Sequence, residues 1–236
     1  MRKWTILILL PAALAACLYF SGYRQWFFRD KPYSYANYKK EVDSVLMYRD
    51  ELASAFPWRH PEHFYAEAGR QFTRRLDERL FPYWEGTDWD FNGTSEVPGK
   101  GSIACGYFVT TLLQDMGVNL NRAELSQCAS EKMIKSLVSP AHIFRYSNST
   151  IQKFVDEIRA KGDGVYLTGL DQHTGILVCR KGRVDFLHSG GGIPARVIRE
   201  EALSSSLLVR SAYRVVGKIT SDKKFLAKWI RQEKFR

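Results

Sequence analysis

The sequence predicts an α+β fold in which helices come first and a mostly antiparallel sheet follows. Before Gly164, apolar residues recur at spacings of three and four, which is typical of helices that pack by one face. From Gly164 onward, apolar residues alternate in short runs separated by turn residues, which is typical of β-strands. Helices followed by strands favour the α+β class over an alternating α/β sheet.

The 236-residue chain carries a formal net charge of +10, most of it at its two ends. Residues 1–31 contribute +4 and residues 221–236 another +4, so the body between them is nearly neutral. We therefore expect no nucleic-acid partner. Basic ends beside an apolar segment favour a membrane surface instead. The sequence has no glycine-rich phosphate loop and no Cys/His cluster with zinc-ligand spacing, so we expect neither a cofactor nor a metal.

The N-terminal segment, residues 1–31, has the pattern of an export signal. Arg2 and Lys3 precede an apolar run from Trp4 to Phe20. Within it, Leu14-Ala15-Ala16-Cys17 resembles the bacterial lipobox, in which the signal is cut before the cysteine and Cys17 is lipidated. The chain stays apolar after Cys17, so an uncleaved anchor of about 17 residues is the alternative. Both interpretations predict a body tethered to a membrane outside the cytoplasm, in a bacterial cell envelope.

Residues 32–82 predict a helical hairpin that packs on the main domain, residues 83–220. A first helix runs from Tyr33 to Phe56, and Pro57 and Pro61 separate it from a second. The second helix has an apolar stripe at near-helical spacing, formed by Tyr65, Ala68, Phe72, Leu76 and Leu80.

Residues 101–117 predict a helix with a cysteine in its first turn. Its apolar face is formed by Phe108, Val109, Leu112, Leu113 and Met116. Ser102 can cap the start, and Gly117 can take the left-handed conformation that ends the helix. At the helix start, unpaired N–H groups and the helix dipole favour a Cys105 thiolate. Gly106 lets another backbone or a substrate approach closely.

A loop rich in Trp, Asp, Asn and Gly, residues 82–100, leads into this helix. Long loops of this kind are often functional, and we expect Trp89 to help bind substrate at the mouth of the site.

The remaining predicted elements are short. The helices are Ala123–Ser130, Lys132–Val138, one that begins at the capping box Ser149–Gln152, and a basic amphipathic helix over residues 221–236. The strands are Val165–Leu170, His173–Cys179, Arg183–His188, Ala195–Ile198 and Tyr213–Ile219.

A turn at Lys181-Gly182 sets the register of the central hairpin. It pairs Arg180 with Arg183, Cys179 with Val184, Leu177 with Phe186 and Gly175 with His188. His173 and His188 then become diagonal neighbours on one face, with backbones roughly 7 Å apart. A nucleophile needs a base, and the base needs an orienting group. We assign these roles to Cys105, His173 and His188 respectively.

The pattern resembles the NlpC-type cysteine peptidases of the papain-like clan. The resemblance covers roughly Tyr83 to Ser189 and is carried by Cys105–Val109, by His173-Thr174-Gly175 and by Phe186-Leu187-His188-Ser189. It implies a papain-like fold with the cysteine-bearing helix packed on the sheet. It also implies that Tyr83 is the counterpart of the family's active-site tyrosine. The Cys105 backbone N–H offers an oxyanion donor.

From this resemblance we expect a membrane-tethered, extracytoplasmic cysteine hydrolase that cleaves an amide or peptide bond, with cell-wall peptide as a candidate substrate. Two alternatives stay open. One is a catalytically silent binding module that binds its ligand through the aromatic loop. The other is an acyltransferase that uses the same triad.

Two further cysteines, Cys128 and Cys179, have no assigned role. An oxidising compartment permits a disulfide between them. We expect Cys179 on the sheet face that packs against the cysteine helix, and we expect both side chains to remain free thiols that act as small apolar groups.

Overall fold

The structure is a computed structural model that describes residues 34–55 and 61–235. The predicted export segment, with Cys17, lies outside the described residues. No helix within the described ranges is both long and apolar enough to cross a membrane. Residues from Tyr35 onward belong to one compact unit, which includes both the predicted hairpin and the sheet.

The predicted α+β class is confirmed, because the described helices flank a six-stranded sheet whose neighbouring strands are all antiparallel. The strand order is β1-β6-β2-β3-β4-β5. The strands are β1 (Ile143–Ser147), β2 (Gly164–Leu170), β3 (Thr174–Arg180), β4 (Arg183–Gly191), β5 (Arg196–Glu201) and β6 (Tyr213–Lys218).

The helices include all those predicted within the described residues, with shifted ends. They are α1 (Tyr35–Ala55), α2 (Pro61–Arg74), α3 (Phe81–Trp84), α4 (Cys105–Asp115), α5 (Arg122–Ser126), α6 (Ser130–Leu137), α7 (Ile151–Ala160), α8 (Ser206–Arg210) and α9 (Lys223–Ile230). Short 3₁₀ turns cover Pro140–His142 and Ile219–Ser221. The capping box predicted at Ser149–Gln152 is displaced by one residue, because Thr150 is the N-cap of α7 and its side chain accepts from Lys153 N–H. Asp222, for which no cap was predicted, caps α9.

The predicted stripe of the second hairpin helix is confirmed by the complete burial of Ala68, Phe72, Leu76 and Leu80. The helix does not stop there, however. A π-helical turn, Arg75–Leu80, carries it into α3. This turn holds the buried Asp77, whose carboxylate pairs with Arg199 at 2.7 Å and Arg180 at 2.9 Å, both from the sheet. The hairpin is therefore tied to the sheet by buried charge as well as by apolar packing.

The register predicted from the Lys181-Gly182 turn is confirmed. Both turn residues have positive φ, +50° and +78°, as a tight hairpin of this type requires. Arg180 faces Arg183, Cys179 faces Val184, and Leu177 faces Phe186. The like charges of the first pair are offset separately, since Arg180 pairs with Asp77 and Arg183 with Asp185.

The two faces of the sheet carry different helices. The face with Ile176, Val178 and Leu187 shares the core that contains α4. The opposite face, with Leu177, Cys179 and Phe186, shares the core that contains α7. Our expectation that Cys179 packs toward the cysteine helix is therefore wrong, since alternation along β3 directs it to the other face.

The three described cysteines, Cys105, Cys128 and Cys179, are free thiols. Cys128 packs against the core on the α4 side, so the sheet lies between it and Cys179.

Two strands differ from the sequence prediction. β1 was not predicted; it is an edge strand with Arg145 at its centre and pairs with β6. β5 was predicted to end at Ile198 but continues to Glu201, through three charged residues. Edge strands are paired on one side, so their sequences need not be continuously apolar.

Candidate active site

Cys105 is the first residue of α4 and so lies in the first turn, as predicted. The predicted Ser102 cap is wrong, because Ala104 is the N-cap residue and no side chain caps this helix. The backbone N–H groups of Cys105 and Gly106, at the helix start, act to lower the pKa of the Cys105 thiol. Gly117 ends the segment with φ of +81°, as predicted.

Gly106 is required by a close approach of backbone. A β-carbon at this position would lie 2.1 Å from the carbonyl oxygen of Ser126 in α5. Only glycine allows α5 to pack so tightly on the first turn of α4. Of the two predicted uses of Gly106, approach of another backbone is therefore the one seen.

Backbone hydrogen bonds hold the aromatic-polar loop against the residues before Cys105 and against the residue before β5. Ile103 donates its N–H to Asp88 O at 2.9 Å, and Ala104 donates to Gly93 O at 2.8 Å. On the other side, Trp89 donates to Ala195 O at 3.1 Å, just before β5. The loop therefore connects the residues just before Cys105 to the edge strand β5.

The predicted meeting of the two histidines is confirmed. His173 Nε2 and His188 Nδ1 are 3.0 Å apart, and the rings are nearly perpendicular, at 88°. His188 is fully buried and stacks on Phe186 with ring centroids 4.4 Å apart. A β-carbon on Gly175 would lie 2.6 Å from the Phe186 ring, so this glycine makes room for the ring on which His188 stacks.

Two contacts join the cysteine segment to residues next to the histidines. The backbone N–H of Thr174, the residue after His173, lies near enough to the Cys105 thiol to lower its pKa. Ser189, the residue after His188, donates its hydroxyl to Ile103 O at 2.6 Å. The cysteine segment therefore lies at the end of the sheet where His173 and His188 meet.

One residue of the site was missed. Glu200 on β5 places Oε2 3.2 Å from His188 Nε2. Its side chain is 27% exposed, while that of His188 is 0% exposed. Glu200 lies beyond the predicted end of the weak strand at Ile198. Extending the alternation of that strand by two residues would have placed Glu200 on the face of Ile198, the residue opposite His188.

Burial sets the protonation of the reactive pair. It lowers the pKa of His173 to about 3, with the nearby His188 acting in the same direction and Glu200 against it. Burial also raises the pKa of the Cys105 thiol, against three backbone N–H groups that lower it. Our expectation of a thiolate favoured by the helix start is thus wrong, because desolvation outweighs the amides. Near neutral pH the Cys105 thiol and the His173 imidazole are therefore both uncharged.

The hydrogen bond from His188 lowers the pKa of Glu200. The carboxylate is therefore ionised at neutral pH, and a buried ring joins it to His173.

The two predicted substrate-binding aromatics lie in different surroundings. A β-carbon on Gly190 would lie 3.1 Å from His173 Cε1 and 3.4 Å from Trp89 Nε1, so the Trp89 indole stands beside His173 across this glycine. Tyr83 lies in α3, with its ring 5.3 Å from that of Tyr38 in α1. A role for Tyr83 at the oxyanion stays a prediction.

The residues present are of the kinds that acyl transfer through sulfur uses: a thiol at a helix start, and an imidazole that contacts a second imidazole. Within residues 34–55 and 61–235, no cluster of three or more His, Cys, Asp or Glu side chains is placed to hold a metal ion. No family model matches this chain, and neither does any curated protein or solved structure.

Proposed function

We propose that this protein is a cysteine hydrolase that cleaves an amide or peptide bond through a thioester on Cys105. The observation that carries the proposal is the 3.0 Å contact between His173 and His188, next to Thr174, whose backbone N–H lies near the Cys105 thiol. A base, its orienting partner and a nucleophile are the parts that covalent catalysis requires.

In the proposed mechanism, His173 takes the thiol proton as the Cys105 sulfur attacks the substrate carbonyl carbon. The backbone N–H of Cys105 donates to the resulting oxyanion. His173 then gives its proton to the leaving amine, and the carbon–nitrogen bond breaks to leave a thioester. Water attacks the thioester while His173 accepts one water proton, and return of that proton to sulfur releases the acid. Because the resting pair is uncharged, proton transfer accompanies the attack.

The papain-like, NlpC-type character of the fold is part of this proposal. It is supported by a cysteine at the first position of α4, by the packing of α4 on an antiparallel sheet, and by a histidine immediately before β3.

The location and substrate are also proposed. The lipobox-like Leu14–Cys17 and the basic N-terminal segment support a membrane-tethered, extracytoplasmic protein in a bacterial cell envelope. Apolar residues are exposed on the segments near His173: Trp89 is 37% exposed, Phe91 79%, and Ile193 is fully exposed in the β4–β5 loop. Such residues would contact the flanks of a peptide, and cell-wall peptide fits the proposed compartment.

The proposal is tested by incubating the protein with muropeptides and with unrelated peptides, and reading the products by mass spectrometry. We expect cleavage of at least one class by the wild type and by Cys128→Ala, a matched thiol control outside the site. We expect no cleavage by Cys105→Ala. Cleavage that persists in Cys105→Ala would overturn the proposed nucleophile. Added amines in the same assay would reveal the acyltransferase alternative, as an amide product in place of the acid.

The silent binding module is favoured by a different observation, the raised pKa of the thiol combined with the exposed ring of Phe91. It predicts peptide binding without turnover. In that case Cys105→Ala should bind as the wild type does, and Phe91→Ala should bind more weakly.

A further inference from the structure

We infer that Glu200 is a positioning residue that fixes the tautomers of both histidines and so leaves His173 Nδ1 as the base. The inference rests on the proposed function for its catalytic meaning, but the tautomers themselves follow from the hydrogen-bonded chain. That chain runs from His173 Nε2 to His188 Nδ1, at 3.0 Å, and from His188 Nε2 to Glu200 Oε2, at 3.2 Å.

When both rings are neutral, the protons of this chain can be placed on the ring nitrogens in only one way. An ionised carboxylate only accepts hydrogen bonds, so Glu200 requires the proton of His188 to be on Nε2. His188 Nδ1 then carries a lone pair and can only accept. His173 must therefore place its own proton on Nε2, which leaves the lone pair on Nδ1. One carboxylate thus fixes the tautomers of both rings. His173 Nδ1, the nitrogen that takes no part in the chain, becomes the base.

The pKa shifts along this chain indicate that the Glu200 carboxylate is ionised. His188 is the main group that lowers the pKa of Glu200, with His173 contributing in the same direction. On the ring side, His188 and Glu200 act on His173 in opposite directions. Glu200 thus offsets part of the penalty that burial imposes on a protonated His173.

The fold holds Glu200 in place through β5. Glu200 pairs across the sheet with Phe186, and His188 stacks on the ring of that same residue. Three residues earlier, the β5 backbone is tied to the active-site loop, because Val197 donates to Thr87 O at 2.8 Å and Gly86 donates to Val197 O at 2.8 Å. Carboxylate and ring are thus anchored by adjacent, paired strands.

Without Glu200, the direction in which the hydrogen bonds of this chain are donated would no longer be fixed. A neutral His188 could then place its proton on Nδ1, where it faces His173 Nε2. His173 would have to present a lone pair there and carry its proton on Nδ1, the tautomer that cannot accept the thiol proton. Truncation of Glu200 should therefore reduce catalysis through the protonation pattern, with all three reacting residues still present.

The test uses Glu200→Ala, Glu200→Gln and the neighbouring exposed control Glu201→Gln in the full chain. The first readout is the tautomer of each histidine, from ¹⁵N–¹H NMR of histidine-labelled protein near pH 7. The second is the rate at which p-nitrophenyl acetate acylates Cys105, followed by peptide mass mapping. The amide oxygen of glutamine can still accept from His188, so this variant separates the hydrogen bond from the negative charge.

We expect Nε2–H on both rings in the wild type, in Glu201→Gln and in Glu200→Gln. In Glu200→Ala we expect mixed tautomers and acylation slower by roughly 10- to 100-fold, the size seen when a partner that orients a functional histidine is removed. Glu200→Gln should acylate within a few fold of the wild type.

Unchanged tautomers in Glu200→Ala would overturn the inference, whatever the rate. A wild type that is not acylated at all, but whose tautomers depend on Glu200, would instead contradict the proposed function and leave the positioning role supported.

Discussion

Two hydrogen-bonded chains in this molecule each end on a carboxylate, and the pKa values of the two carboxylates are shifted in opposite directions. At the candidate active site, His173 and His188 lead to Glu200, whose pKa is lowered by the hydrogen bond from His188. At the helical side, Trp84 Nε1 donates to Tyr38 Oη at 2.8 Å, and Tyr38 donates to Asp115 Oδ2. Burial raises the pKa of Asp115 to about 6.

The difference lies in the partner of each carboxylate. Glu200 meets an imidazole that can share or accept positive charge, and its side chain keeps 27% exposure. Asp115 meets a phenol, which donates a hydrogen bond but carries no positive charge, and the bond lowers its pKa less than burial raises it. The hydrogen bond from a phenol therefore does not offset the rise in pKa that burial causes at Asp115, whereas the bond from His188 outweighs it at the partly exposed Glu200.

The comparison also separates a chain that we expect to act in catalysis from one that we expect to stabilise the fold. The first chain lies on the sheet and contains the proposed base, His173. The second chain ends on Asp115, the last residue of α4, and joins this helix to α1 and α3. Removal of the first should affect activity, and removal of the second should affect stability.

The largest expected effect is that of His173→Ala on hydrolysis of whichever peptide substrate the screen identifies. With no base beside the thiol, kcat/KM should fall by roughly 10³-fold or more, as it does when a member of a catalytic triad is removed. Steady-state kinetics with the wild type as reference measure this. A loss of less than about tenfold would remove His173 from the role of base.

His188→Ala should cost less, roughly 10- to 100-fold in kcat/KM, because orientation of the base contributes less than the base itself. The same assay measures it, with circular dichroism as a check that loss of the stacked ring has not unfolded the sheet. Equal losses for the two histidines, or a larger loss for His188→Ala, would require the two roles to be exchanged.

Asp115→Asn should change how stability depends on pH. The folded pKa of Asp115, about 6, lies above the ordinary value of 3.8, so its favourable contribution is present at low pH and is lost as the pH rises through 6. This difference corresponds to about 3 kcal/mol at most. Asparagine does not titrate and can still accept from Tyr38.

We therefore expect Asp115→Asn to gain stability relative to the wild type between pH 4 and pH 8, in urea unfolding at both values. Asp43→Asn, at an exposed position on α1, is the matched control and should show no such gain. A constant difference between Asp115→Asn and wild type at the two pH values would contradict the raised pKa.

The smallest expected effect concerns the thiol itself. Burial raises the pKa of Cys105, so its alkylation by iodoacetamide should be slow at pH 6 and rise with pH beyond pH 8. Peptide mapping after timed labelling distinguishes Cys105 from Cys128. A fast rate that is already constant from pH 5 to pH 8 would indicate a thiolate–imidazolium pair instead of two neutral groups.

What could be predicted from the sequence was decided by local rules. The Lys181-Gly182 turn and the two-residue period of the strands were enough to place His173 beside His188. The helix that carries Cys105 in its first turn followed from apolar spacing. These features depend on residues close together in the chain, so the sequence alone determines them.

What could not be predicted depends on tertiary packing. Glu200 lies on an edge strand made mostly of charged residues, and only pairing with β4 brings it to His188. The helix start suggested a thiolate at Cys105, but the surrounding burial, which no local pattern reports, reverses the direction of the pKa shift. Likewise, the π-helical turn at Arg75–Leu80 coincides with a buried Asp77 whose partners lie more than a hundred residues away.

The central claim is that Cys105 reacts through His173 even though the resting pair is uncharged. The most direct measurement is trapping of the acyl-enzyme with p-nitrophenyl acetate at pH 7, in wild type, Cys128→Ala and His173→Ala. We predict rapid acetylation of Cys105 in the first two proteins, shown by peptide mass, and acetylation slowed by roughly 10²-fold or more in His173→Ala. Acetylation of Cys105 at the same rate with and without His173, or none in the wild type, would contradict the account.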